Sequence, residues 1–186
     1  MKLALAVINS EEWYGRGPEG LDDRLDVPGW LDSFLVREGV PDVSSPASQD
    51  QARLRRLRTL LRRMFTALAD GREPSVPDLE QLDGFLRRGV LQRRIDASDG
   101  CRVVLAPARR DWDWVLSEIV ASFCDVLADG ERARIKHCEN PECRWAFYDE
   151  SRNRCRRWCS AAECGNVFKV REFRARQRAH QANDRT

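Results

Sequence analysis

The chain has 186 residues, 42% hydrophobic and 33% charged, with a formal net charge of +2. That length suffices for one domain plus a small module, and no apolar run approaches the roughly 18 residues that a membrane-spanning helix needs. The small net charge hides an asymmetry: residues 1–135 carry a net −3 and residues 136–186 a net +5, an acidic body with a basic tail of the kind that seeks polyanions.

The opening "MKLALAVINSEEWYG" is a short apolar run that ends at Asn9 before acids follow. It lacks a cleavage pattern behind a long apolar core, so it predicts a buried strand or helix start in a cytoplasmic protein and not a signal peptide. "GRGPEGLDD" predicts a loop. "LDVPGWLDSFLVREG" predicts a short helix carrying Trp30, Leu31, Phe34 and Leu35 and closed by Gly39. After the linker "VPDVSSPAS", Leu54, Leu57, Leu61, Phe65 and Leu68 recur at spacings of three and four, the strongest helical signal in the chain, which Gly71 closes. "PSVPDLEQLDGFLRRG" predicts another helix, with Asp78 and Gln81 as a capping box and Leu79, Leu82, Phe85 and Leu86 as its apolar face. Two β-favouring stretches flank "DASDG" and predict a hairpin. "DWDWVLSEIVASFCDVLADG" predicts the last long helix of the body, with Cys124 beside its apolar stripe as a small core residue.

Nothing in residues 1–135 assembles a catalytic constellation. There is no histidine before His137, which removes the commonest general base, and "GRGPEG" lacks the Lys and following helix of a phosphate-binding loop. The body therefore predicts no enzyme.

The last third is different. Cys138 and Cys143 have four residues between them, as do Cys159 and Cys164, and fifteen residues separate the pairs. Two close pairs of thiolates wrap one zinc tetrahedrally, and four cysteines leave no open coordination position, so the site is structural. Two disulfides are the alternative, disfavoured by an odd total of seven cysteines. A module of this size buries little core, so the metal supplies much of its folding energy. Trp145, Phe147 and Trp158 are expected around the metal, Gly165 gives a positive φ or a close approach to sulfur, and Cys155 stays outside the ligand set.

Arginines flank the second pair. Arg152, Arg154, Arg156 and Arg157, with Asn153 among them, precede it, and Lys169, Arg171, Arg174, Arg176 and Arg178 follow. With Asn166 as N-cap, the second run predicts a helix with Arg171, Arg174 and Arg178 on one face and Val170 and Phe173 turned toward the metal module. The guanidinium fork suits phosphate, and a zinc core presenting a basic helix suits a DNA groove. RNA and an acidic protein partner are the competing readings.

The stretch "CENPECRWAFYDESRNRCRRWCSAAECGNVFKVREFRARQR" resembles the CGNR zinc-finger family. Its four zinc cysteines match Cys138, Cys143, Cys159 and Cys164. Further matches fall on Phe147, Asp149, Ser151, Arg152 and Asn153, on Arg156, Arg157 and Trp158, and on Gly165 and Asn166. Val167 stands where the family has Arg, and Cys155 where a small polar residue is usual. Residues 1–135 resemble in layout the N-terminal domain described as a putative stress-induced transcription regulator, although "LALAVINSEEW" replaces a Leu-Asp-Leu-Val-Asn-Thr pattern of which only Asn9 persists. The resemblance implies a bacterial transcription regulator that binds double-stranded DNA, with room for a small-molecule effector, a homodimer or a partner in the transcription machinery.

The expected fold is thus mainly α (α+β). A helical domain with one small hairpin spans 1–135, a zinc-binding, DNA-binding module with one structural zinc ion spans 136–180, and 181–186 form a disordered tail. The DNA contacts fall on Arg152, Asn153, Arg154, Arg156, Arg157, Lys169, Arg171, Arg174 and Arg178.

Overall fold

The computed structural model describes residues 2–13, 21–40, 43–98, 100–128 and 131–183. The apolar opening is a helix, α1 (Lys2–Ile8), whose first turn is tied down where the Ser122 hydroxyl accepts from the Ala4 N–H at 3.3 Å. Two short antiparallel strands follow, β1 (Glu11–Trp13) and β2 (Leu21–Asp23), with Glu11 opposite Asp23. β2 takes up the end of the stretch expected to be a loop; the rest of that loop lies outside the described residues. α2 (Trp30–Arg37), α3 (Ser48–Ala69), α4 (Val76–Leu86) and α5 (Trp112–Ala128) then appear where periodicity places them. Gly39 and Gly71 end α2 and α3 with positive φ, a conformation that costs glycine little.

The cap of α4 differs from expectation. Ser75 is the N-cap, its hydroxyl accepting from the Asp78 N–H at 3.3 Å, and Asp78 sits inside the first turn. Asp78 instead pairs with Arg63 of α3. Of the expected apolar face only Leu82 is fully buried, while Leu79 and Leu86 stay exposed.

α1, α3 and α5 share one core, in which Val7, Leu57, Leu61, Val115, Leu116 and Val120 lose all contact with water. Cys124 packs against it, and burial pushes its thiol up, as a small core residue should. One row of α3's polar face is not solvated, although Arg56, Thr59 and Arg63 beside it are exposed. Arg58 grips Asp23 bidentately at 2.6 and 2.7 Å and donates to Ser10 Oγ at 3.0 Å; Arg55 pairs with Asp23 and Asp26, and Arg62 with Glu11 and the Ile8 carbonyl. Burial raises the Asp23 carboxyl, but hydrogen bonds from Arg58 and the Leu25 N–H, together with the charges of Arg58 and Arg55, outweigh it and the net shift is downward. One arginine row thereby straps residues 8–11 and 23–26 to α3.

β3 (Leu91–Asp96) and β4 (Arg102–Pro107) form the expected hairpin. Gly89, between α4 and β3, has no room for a side chain: a Cβ there would fall 1.8 Å from Ser117 Oγ of α5. Beyond α5, β5 (Ile135–His137) and β6 (Ala146–Tyr148) make a third two-stranded sheet, and α6 (Asn166–Asn183) closes the chain. The architecture is mixed α/β, with a helical N-terminal region, small hairpins and a four-cysteine cluster beside α6. α6 continues three residues past the boundary expected at 180, and 184–186 lie outside the described residues. Among the described residues no helix is long and apolar enough to cross a membrane.

Candidate metal centre and basic surface

The β5–β6 hairpin carries the first cysteine pair on its connecting loop. Cys138 leaves β5 with its N–H bonded to the Trp145 carbonyl at 2.9 Å, and the Cys143 N–H closes a turn onto the Asn140 carbonyl at 2.9 Å. Arg144, at φ 51°, turns the chain back toward β6. The second pair is spaced by a single π-turn, Ala161–Gly165, which contains Cys164 and is capped where Ser160 Oγ accepts from the Glu163 N–H at 3.2 Å.

These two loops bring the sulfurs of Cys138, Cys143, Cys159 and Cys164 within 4.8 Å of one another. The Cys143–Cys159 and Cys159–Cys164 separations are both 3.6 Å, far beyond a disulfide bond of about 2.05 Å. They lie close to the ~3.8 Å edge of a sulfur tetrahedron with ~2.3 Å zinc–sulfur bonds. Burial pushes the Cys143 thiol up to about 12 and raises Cys159 as well. Cys164 is also raised by burial, but a hydrogen bond from Asn140 Nδ2 at 3.5 Å leads the contacts that bring it below its ordinary value. Four thiols so placed ionise together only around a cation. The cluster is geometrically compatible with a structural zinc site, and Cys155, exposed, is outside it.

Around the sulfurs, Phe147 is buried with Cys138 and Cys164, and Trp145 and Trp158 pack against them, as expected. Gly165 serves close approach, but to a ring and not to sulfur: an added Cβ would sit 3.3 Å from Trp158 Cδ1. Two expectations for the basic helix fail. Asn166 is already helical and is not the cap, because the π-turn feeds α6 directly and Ser160 does the capping. The aromatic that docks on the module is Phe168, its ring 4.6 Å from that of Trp158, while Val170 and Phe173 are exposed.

A buried carboxylate organises the loop between the pairs. Asp149 is fully buried and accepts from Lys136 Nζ at 2.7 Å, Ser151 Oγ at 2.6 Å, and the N–H groups of Ser151 and Arg156 at 3.0 and 2.9 Å. Burial alone would raise its carboxyl; these donors overcome that and hold it far below the usual range. Asn9 performs a parallel task between body and module. Its amide donates to the Ala146 carbonyl at 2.8 Å and accepts from the Ala146 N–H at 2.9 Å, copying a strand pairing along β6. The sequence marks Asn9 only as the first polar residue after an apolar helix and as the one residue that persists of the resembled N-terminal pattern, not for this role. His137 stays outside the cluster, its Nε2 3.1 Å from Thr66 Oγ1 and its ring edge-on to Phe65, and burial lowers its pKa.

The arginines divide into two groups. Arg156 is part of the module: its guanidinium lies 4.8 Å from the centre of the Phe147 ring and donates to the carbonyls of Trp158 and Cys159. Arg157 pairs with Glu139 over the Trp158 and Phe168 rings, Arg154 pairs with Glu131 and Arg171 with Glu142. By contrast Arg152, Asn153, Lys169, Arg174, Arg176 and Arg178 are exposed, and none of these side chains has a charged or hydrogen-bonded partner among the described residues. Taking Phe168 as the docked side, helical spacing puts Lys169 and Arg176 on one flank of α6 and Arg171, Arg174 and Arg178 on the other.

Residues 2–130 match the family described as "Putative stress-induced transcription regulator", and residues 134–177 match the CGNR zinc finger. Both are of regulatory or zinc-finger type, and neither is a catalytic fold. No curated protein matches the chain.

Proposed function

We propose, for a chain that belongs to the "Putative stress-induced transcription regulator" family and ends in a CGNR zinc finger, a zinc-dependent regulator of transcription that binds double-stranded DNA. Cys138, Cys143, Cys159 and Cys164 hold one zinc ion. With four thiolates the ion has no open position, and it supplies folding energy and orientation, not chemistry. The observation that carries the reading is the set of uncompensated cations on α6. The helix is about 27 Å long, meets the rest of the chain chiefly at the π-turn, and shows free cations on both flanks.

Phosphate contacts then fall to Arg152, Lys169, Arg176 and Arg178. Arg154, Arg157 and Arg171 join them by exchanging exposed ion pairs of little intrinsic worth for phosphate. Arg156 drops out as a contact, because its guanidinium is committed to the module. Arg174 is the base reader, with Asn153 beside it in the loop. The effector that the resemblance allows would enter the cleft of about 420 Å³ between Arg62 and Thr66 of the body and His137 and Arg144 of the module.

Selection from random DNA with zinc-loaded protein, followed by titration of a selected and a scrambled site at several salt concentrations, tests this reading. Lys169→Ala and Arg178→Ala should each weaken both sites equally and reduce the salt slope by about 1. Arg174→Ala should instead change the preference between sites by about 1–3 kcal/mol. A triple Lys169, Arg176, Arg178 to Ala variant that keeps its zinc and binds DNA as tightly as the parent would remove DNA as the partner, leaving an acidic protein.

A further inference from the structure

The β3–β4 hairpin stands away from the body. All of β3 up to Ile95 is exposed, and neither strand packs on any helix or other strand to a comparable extent. Cross-strand register puts Leu91, Ile95, Val103 and Leu105 on one face, with Arg93 among them. These four aliphatic side chains are 45%, 71%, 68% and 67% exposed. An isolated two-stranded ribbon is marginal in water, and a third strand or a covering surface is what stabilises one. Bare aliphatic faces beside unpaired edges are also what soluble proteins avoid unless a partner covers them.

The edges themselves choose the partner. The Ala108 N–H bonds to the Val90 carbonyl at 2.8 Å, so alternation along an antiparallel ladder makes 92/106, 94/104 and 96/102 the bonded pairs. The N–H and C=O groups of Val103 and Leu105 therefore point outward from β4, and those of Leu91, Arg93 and Ile95 outward from β3. Pairing β3 with a second β3 about Arg93 sets Arg93 against its own copy and leaves Arg94 beside another, a clash of like charges. β4 has no such obstacle. A two-fold axis through Val104 sets Val103 opposite Leu105 of the second copy, and every outward donor of these two residues meets an outward acceptor. Arg102 then faces Ala106, and Pro107, which has no N–H to offer, falls outside the paired segment.

We propose that two copies of this chain associate through β4, joining their hairpins into a four-stranded antiparallel sheet centred on Val104. The interface is isologous and merges the two aliphatic faces into one.

The experiment weighs the full-length, zinc-loaded chain in solution by light scattering over a range of concentrations. The parent should give twice 21.5 kDa. Leu105→Pro removes one outward N–H while sparing the bonds to β3, and it should halve the mass; Val103→Lys should do the same by charge. Arg93→Pro, the equivalent change on the opposite edge, should leave the dimer intact. All four proteins are compared by helical signal and zinc content, so that loss of mass through misfolding is recognised. Val104→Cys in a Cys101→Ser background gives an independent readout. Residues facing each other across the two-fold are a non-bonded pair with Cα atoms about 4.5 Å apart, within disulfide reach, so mild oxidation should yield a reducible covalent dimer. A monomeric parent, or a dimer that survives Leu105→Pro and Val103→Lys and gives no Val104→Cys cross-link, overturns the proposal and leaves the hairpin face to a different partner.

Discussion

The body and the metal module sit against each other but are stabilised by different physics. The body buries a continuous set of aliphatic and aromatic side chains from α1, α2, α3 and α5. The module's own cluster contains three fully buried residues, Cys138, Phe147 and Cys164, of which two are candidate metal ligands. The body is thus held by area removed from water, distributed over many residues. The module is held by a few strong, directional interactions: four sulfurs, one buried carboxylate, and cations lying on rings. A distributed core degrades gradually when one residue changes, whereas a module of few strong contacts fails at once.

The largest expected effect tests that difference directly. Cys143→Ser should abolish metal content and with it a binding free energy of about 10–16 kcal/mol. Residues 138–165 should then unfold while the helices of the body persist. Elemental analysis together with backbone amide spectra checks both halves; a variant with an ordered module and no metal would erase the contrast.

Next is Asp149→Asn, at about 3–5 kcal/mol, because it leaves the half-buried Lys136 against an uncharged partner and replaces an oxygen that accepts from two of the four donors. The native carboxyl sits well below its unfolded value of about 3.9. It binds fewer protons folded than unfolded, so its stabilisation is complete above about pH 4 and drains away as pH falls toward the folded pKa. Denaturant melts of the zinc-loaded protein from neutral to acid pH should show that loss in the parent and not in the variant.

Gly89→Ala probes the other side of the comparison at about 1–3 kcal/mol. The new Cβ would collide with Ser117 Oγ, which is fixed by donation to the Trp114 carbonyl at 2.8 Å. The body's melting midpoint should drop while metal content and affinity stay unchanged. A coupled loss of metal would show that the two regions fold as one unit.

The same contrast explains what was legible in the sequence. α2, α3, α4 and α5 followed from leucine and aromatic spacing because a helix that buries one side must repeat its apolar residues. The four ligands followed from spacing because a tetrahedral ion needs two short loops. What escaped depends on local geometry that composition does not carry. Phe168 replaced Val170 and Phe173 as the docked residue because a π-turn, not a capped start at Asn166, sets the rotation of α6. Arg156 looked like a phosphate contact by charge, yet an arginine between a ring and two carbonyls is a structural residue. The ion pairs of Arg55, Arg58 and Arg62 went unmarked, because their partners Asp23 and Glu11 are delivered by the small β1–β2 sheet. In each case the deciding partner lies far away in sequence or across a turn whose type is set by packing.

The smallest expected effect, and the most informative about how the two regions communicate, belongs to Asn9. Its two hydrogen bonds to Ala146 tie the residues just after α1 to the module. Ala146 and Ile135 are themselves buried in the body's core, so apolar contact also crosses here. Asn9→Ala removes the polar link and retains the apolar one. Each net hydrogen bond is worth about 1 kcal/mol, and the groups exposed on Ala146 lie at a strand edge where water can reach them once the amide is gone, so the total loss should be about 1–2 kcal/mol. The midpoint shift matters less than the shape of the transition. If Asn9 couples the regions, the variant should melt in two resolved steps, a metal-independent step of the body and a step of the module that moves with added chelator. The parent should show one. A variant that still melts in a single step would assign the coupling to Ile135 and Ala146 alone, and Ile135→Ala would then be the substitution that separates the body from the metal.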